Sequence, residues 1–96
     1  MILDERDVEG YLVKRMEEIG GVCIKHGQDG WPDRICIFPN GKIVWCETKR
    51  PKGKPEPLQL YRKKILEKLH CFCVLCYTKE AADELIRITM KLDSTV

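Results

Sequence analysis

Two carboxylates and an ammonium stand out in this sequence by their spacing. Asp33 follows Pro32 at the head of one apolar run, Arg34 to Phe38, and Glu47 and Lys49 close a second run that begins at Ile43. Residues two apart on a β-strand point to the same face, so Glu47 and Lys49 are expected to project together. Between the runs lies Pro39-Asn40-Gly41-Lys42, and Asn-Gly is a strong hairpin signal. Such a hairpin returns Glu47 to the neighbourhood of Asp33. Two carboxylates that close repel each other unless a cation sits between them. Mg²⁺ takes oxygen ligands while keeping several waters, and the Thr48 carbonyl, between Glu47 and Lys49, offers a further oxygen. Bound Mg²⁺, with Mn²⁺ as a substitute, acidifies water and neutralises charge developing on a phosphate. Lys49 is then placed to orient that water or to stabilise the charged transition state. These are the parts that phosphodiester hydrolysis needs. Glu-x-Lys alone is common on solvated strand edges and Pro-Asp alone is usually a turn; the combination across a hairpin carries the reading.

The elements that must position this trio can be read from periodicity. Val8, Leu12, Met16 and Ile19 recur at spacings of three or four within residues 3–19, which predicts a helix capped by Asp4 and stopped by Gly20-Gly21. Val22 to Lys25, Arg34 to Phe38, Ile43 to Lys49 and Phe72 to Tyr77 read as strands, with His26 to Trp31 as a loop. Arg50 to Pro57, with its prolines and glycine, is a second loop. A helix is expected over Pro57 to Leu69, with Leu58, Tyr61, Ile65 and Leu69 on its apolar side. Thr78 caps a last helix, Lys79 to Lys91, with Ala82, Leu85, Ile86 and Met90 facing inward. The order is α-β-β-β-α-β-α, an α/β class.

A 96-residue chain has the length of one domain, and 44% hydrophobic with 33% charged residues is a globular balance. No apolar run approaches the roughly 20 residues that span a bilayer. Met1 to Asp7 lacks the basic start and apolar stretch of a signal peptide. The expected setting is the cytoplasm, at the nucleoid or in a host cell if the source is viral. Cys23, Cys36, Cys46, Cys71, Cys73 and Cys76 lie within apolar runs, as small buried hydrophobes do, which favours free thiols in a reducing compartment. A thiol-metal centre at Cys71, Cys73 and Cys76 is disfavoured, because an extended strand sends Cys73 and Cys76 to opposite faces.

Charge is unevenly spread. Residues 49–68 hold eight basic and two acidic side chains, whereas residues 1–48 hold six basic and nine acidic. A basic segment abutting the trio fits phosphate contacts from Arg50, Lys52, Lys54, Arg62 and Lys63, joined by Lys25 and Arg34; its bland alternative is a solubilising surface. Trp31 is read as loop or core packing, with base stacking as the rival, and His26 as incidental rather than a proton shuttle.

Taken together, Glu9, Gly30-Trp31-Pro32-Asp33-Arg34, Val44-Trp45-Cys46-Glu47-Thr48-Lys49 and Leu58-Gln59 resemble, in order and over nearly the whole chain, the VRR-NUC (virus-type replication–repair nuclease) domains of the PD-(D/E)xK superfamily. The loop between Lys25 and Gly30 is shorter than in many members. The resemblance implies a restriction-endonuclease-like mixed sheet flanked by helices, with Asp33 and Glu47 as metal ligands and Lys49 as the catalytic lysine. It implies that Glu9 completes the site, directly or through water, with Glu5 one turn earlier as competitor, and that Gln59 lies close by. Stand-alone members resemble Holliday junction resolvases, which implies an endonuclease acting as a homodimer on branched DNA. A nuclease of DNA ends or flaps, or a non-catalytic DNA-binding module on the same fold, are the alternatives.

Overall fold

The computed structural model describes residues 5–48 and 54–92. Lys49, Arg50 and Lys52, and the Asp4 cap, lie outside the described residues. The elements are α1 (Glu5–Glu18), β1 (Val22–Lys25), β2 (Arg34–Ile37), β3 (Ile43–Thr48), α2 (Pro57–Lys68), β4 (Phe72–Cys76) and α3 (Lys79–Met90). The expected order is the observed one, and the ends that fall within the described residues shift by at most one residue, as fraying ends commonly do.

The four strands form one sheet in the order β1-β2-β3-β4. β1 and β2 pair antiparallel, as do β2 and β3, and β3 pairs with β4 in parallel. The parallel pair needs a crossover, and α2 supplies it. Register sets Cys36 opposite Val44, and Thr48 opposite Cys76, on one face of the sheet. On that face Val8, Leu12 and Met16 of α1, none of them exposed, meet Cys36, Val44, Cys46 and Cys76, closed by Ala82 and Ile86 of α3. Sulfur lines this core: Cys46 Sγ lies 3.2 Å from Cys76 Sγ, and Cys36 Sγ 3.8 Å from Cys23 Sγ.

Sequence chemistry explains the ends. Gly20, at φ +85°, terminates α1, and its N–H donates to the Glu17 carbonyl while Gly21 N–H donates to Met16. This is the paired bonding of a glycine C-cap, satisfying carbonyls that the helix leaves open. Thr78 Oγ1 accepts from Ala81 N–H at 3.0 Å and starts α3. The Asn40 side chain in the β2–β3 turn donates to the carbonyls of Thr89 and Leu92, fastening the hairpin tip to the end of α3.

Two helix faces differ from expectation. In α2 the expected apolar side is largely outward: Leu58, Tyr61 and Leu69 are 44%, 59% and 66% exposed. The helix seats itself instead through Gln59, Arg62, Lys63 and Leu66, joined by half-buried Ile65 from the expected side; of these only Leu66 is fully buried. Three polar residues on the seating stripe hide it from a hydrophobic pattern. In α3, Met90 faces solvent and Thr89 takes the buried position after Ala82 and Ile86.

Because Cys36, Cys46 and Cys76 are sealed in the core, iodoacetamide should leave them unmodified in the native protein. Contacts with Cys36 and Cys76, with burial, hold the Cys46 thiol above its ordinary range, and burial pushes half-buried Cys73 up to about 11. Mass mapping should find these three core thiols labelled only after denaturant is added; rapid native labelling of Cys46 would contradict this packing.

Candidate active site at the β2 and β3 ends

Register and side-chain bonds build the site. Asp33 immediately precedes β2, and its carbonyl accepts from His26 N–H at 2.8 Å, which closes the loop between β1 and β2. Arg34 pairs with Cys46, so the start of β2 lies beside the end of β3. There Thr48 clamps Asp33 twice: its N–H donates to Oδ1 at 3.2 Å and its hydroxyl to Oδ2 at 2.9 Å. Burial pushes the Asp33 carboxyl above its ordinary value; the two Thr48 bonds oppose this, and the Glu9 carboxylate adds to it.

Glu47, next along β3, is only 4% exposed. Its Oε1 accepts from Gln59 Nε2 at 3.0 Å, while Gln59 Oε1 accepts from Glu56 N–H at 2.8 Å. The amide is thereby oriented from both ends. Its carbonyl oxygen caps the first turn of α2, so its NH₂ has to face Glu47. Pro57 at the first turn of the helix costs no hydrogen bond there.

Glu9 reaches the same neighbourhood from α1 and forms an ion pair with Arg34 at 2.7 Å, with both side chains less than one-fifth exposed. Arg34 Nη1 also donates to the Cys23 carbonyl. Arg34 is therefore engaged in holding Glu9. Among the other basic residues expected at phosphates, Lys25 and Lys54 are exposed, Lys63 pairs with Glu67 at 2.8 Å, and Arg62 stacks on Trp31. Trp31 also leans on Trp45, with ring centroids 6.2 Å apart, and His26 meets the edge of Trp45 at 5.4 Å.

The structure thus gathers Asp33, Glu47, Thr48, Gln59 and Glu9 at one end of the sheet. Among the described residues no three His, Cys, Asp or Glu side chains stand close enough together to hold a metal ion. The donors that Asp33, Glu47 and the Thr48 carbonyl would offer are all oxygen, which suits a hard cation that keeps waters of its own. Burial has raised the Asp33 carboxyl, and a neighbouring cation would relieve that penalty.

Two contributors escaped sequence reasoning. The sequence offers Thr48 for its carbonyl, yet its N–H and hydroxyl hold Asp33; a hydroxyl residue inside Glu-x-Lys is the signal for that role. Gly30, at φ +81°, lies so close to α2 that a Cβ there would stand 2.3 Å from Leu58 Cγ. That contact sets the loop bearing Asp33 directly against the helix bearing Gln59.

The fold has a counterpart among solved structures. A solved structure described as a VRR_NUC domain superposes with a TM-score of 0.78 at 31% identity, over 86% of this chain and 94% of its own. The chain belongs to the VRR-NUC family. A relative from Acyrthosiphon pisum secondary endosymbiont phage 1, described as "Putative nuclease p44", is 42% identical over 62 residues, which are 62% of this chain and 67% of the relative. No family model matches the chain.

The raised Asp33 carboxyl has a stability consequence. A carboxyl whose pKa is higher in the fold than in the unfolded chain contributes stability below the unfolded value, roughly pH 4, and loses it as pH rises through the native value. Asp33→Asn keeps an acceptor for Thr48 N–H and removes the charge. In metal-free buffer its Tm should equal or exceed that of the parent at pH 7, with the difference shrinking below about pH 4. A marked loss of Tm at pH 7 would contradict the burial penalty. Gly30→Ala should lower Tm by several degrees, because it adds both left-handed strain and a clash with Leu58.

Proposed function

We propose that this VRR-NUC domain is a divalent-metal-dependent endonuclease that hydrolyses phosphodiester bonds in DNA. The observation that carries the reading is the pair of carboxylates, Asp33 and Glu47, set at adjacent strand ends and fixed by Thr48 and Gln59. The relative's description as a nuclease supports it. Asp33, Glu47 and the Thr48 carbonyl would hold the ion. Mg²⁺, or Mn²⁺ in its place, supplies Lewis-acid polarisation of the phosphate and acidification of water when bound.

The chain's own residues do the rest. Thr48 keeps the Asp33 carboxylate in one orientation, and Gln59 does the same for Glu47, so neither has to be ordered as substrate arrives. Arg34 fixes Glu9 at the edge of the site, where Glu9 assists directly or through water. Lys49, the residue after Thr48, is assigned the stabilisation of negative charge on the phosphate. Exposed Lys25 and Lys54 offer long-range attraction for the strand. The substrate proposed is branched DNA, above all a four-way junction. Such a junction has two-fold symmetry and needs two symmetric cuts, and one chain offers one site, so the working unit proposed is a homodimer.

The test is cleavage of a synthetic four-way junction and of a linear duplex of matching sequence, each with Mg²⁺ or Mn²⁺. The parent should cut the junction at paired positions, and Asp33→Asn and Glu47→Gln should lose at least about a thousandfold in rate while still binding it. Trimming from linear ends would redirect the reading to an end- or flap-acting nuclease. Folded parent protein that cuts nothing with either metal would leave a DNA-binding module in its place. Gln59→Ala should cut roughly ten- to a hundredfold more slowly, as expected for the loss of a hydrogen bond that orients a metal ligand.

A further inference from the structure

The seating stripe of α2 contains a cation whose setting differs from that of its peers. Arg15 pairs with Asp83 and Glu18, Arg34 with Glu9, and Arg87 with Glu84. Among the described residues nothing accepts a hydrogen bond from Arg62, and its Nε is sealed from solvent without a partner. Its neighbours are instead two aromatic rings, with its guanidinium carbon 4.8 Å from the Trp31 ring centroid and 5.7 Å from that of Tyr61. Cation–π attraction contributes roughly 0.5–2 kcal/mol at such sites. Its Nε–H has lost water without gaining an acceptor, a cost that cation–π attraction offsets only in part.

Position says which anion. Arg62 follows Gln59 by three residues, about 4.5 Å along the helix axis, and the Gln59 amide is bonded to Glu47. Trp31, on which the guanidinium lies, is two residues before Asp33. The guanidinium therefore stands where the segments carrying both carboxylates converge. The side chain is half-buried, with its guanidinium carbon over the Trp31 ring. A planar guanidinium fork positioned by such a contact is suited to the oxygens of a phosphate.

We propose that Arg62, backed by Trp31, binds a backbone phosphate of the DNA strand adjoining the bond that Asp33 and Glu47 address. This rests on the nuclease reading and deepens it. The flexible lysines attract the strand, whereas Arg62 sets its register over the carboxylates. Trp31 then serves as the platform for Arg62 and not as a surface for a base.

The test is binding of a fluorescein-labelled four-way junction with Ca²⁺ replacing Mg²⁺, followed by anisotropy across a salt series, alongside cleavage in Mg²⁺. Arg62→Met should weaken binding about tenfold or more and reduce the slope of log affinity against log salt by about one. Arg62→Lys should recover part of the affinity, since it restores charge without the stacked fork. Lys14→Met, at an exposed position on α1, should leave affinity nearly unchanged. Arg62→Met binding like the parent with an unchanged slope, while the parent cuts DNA, overturns the Arg62 site and leaves the nuclease reading standing. Should Arg62→Met fail to fold by thermal melting, Arg62→Lys decides, and parental affinity from it overturns the site. A parent that neither binds nor cuts DNA overturns both.

Discussion

Placing carboxylates at strand ends that are largely closed to water is the constraint on which the rest of this structure depends. A carboxylate loses hydration there and must be compensated by donors, by a cation, or by a proton. At Asp33 burial prevails over the two Thr48 donors, and the carboxyl is pushed above its ordinary value. At Glu47 the Gln59 amide holds Oε1 in place. At Asp33 the donors therefore fix the carboxyl in position without offsetting its burial. That is the state in which a divalent ion gains most on arrival.

The consequences spread through the fold. Gln59 can face Glu47 only if α2 begins where it does, so the cap at Glu56 and Pro57 belongs to the site as much as to the helix. The helix must also come close to the loop bearing Asp33, which requires the missing Cβ of Gly30. In return α2 leaves Leu58, Tyr61 and Leu69 toward solvent and seats itself on a mostly polar stripe. Apolar stabilisation falls to the other face of the sheet, where α1 and α3 bury Val8, Leu12, Met16, Ala82 and Ile86. At roughly 1.5–3 kcal/mol for each large side chain fully buried there, that layer can support a sheet whose opposite layer is given over to function.

Much of this was legible in the sequence, and the exceptions have a common cause. Val8, Leu12 and Met16 repeat at four-residue spacing with nothing to compete, so α1 and its buried face follow directly from pattern. The Asn40-Gly41 turn set the hairpin, and the hairpin placed Glu47 near Asp33. The α2 face departs from pattern because Leu58, Tyr61, Ile65 and Leu69 form a convincing apolar stripe, whereas only Ile65 of these lies on the seat, which polar contacts that hydropathy does not record help to choose. Arg34 read as a phosphate contact, and its ion pair with Glu9 depends on a helix 25 residues earlier in the chain. Thr48 escaped because its role depends on which residue its hydroxyl faces across the hairpin, and that is a property of register. Lys49, Arg50 and Lys52, on which the sequence reading also relied, lie outside the described residues.

Asp33 and Glu47 are proposed to form together a divalent-cation site, held ready by Thr48 and Gln59. The most direct measurement is a crystal of this protein soaked in Mn²⁺, with anomalous difference density collected at the manganese edge. A peak is expected within bonding distance of carboxylate oxygens from both Asp33 and Glu47, with Gln59 still bonded to Glu47. A manganese peak elsewhere on the molecule, with none between these two carboxylates, would contradict it.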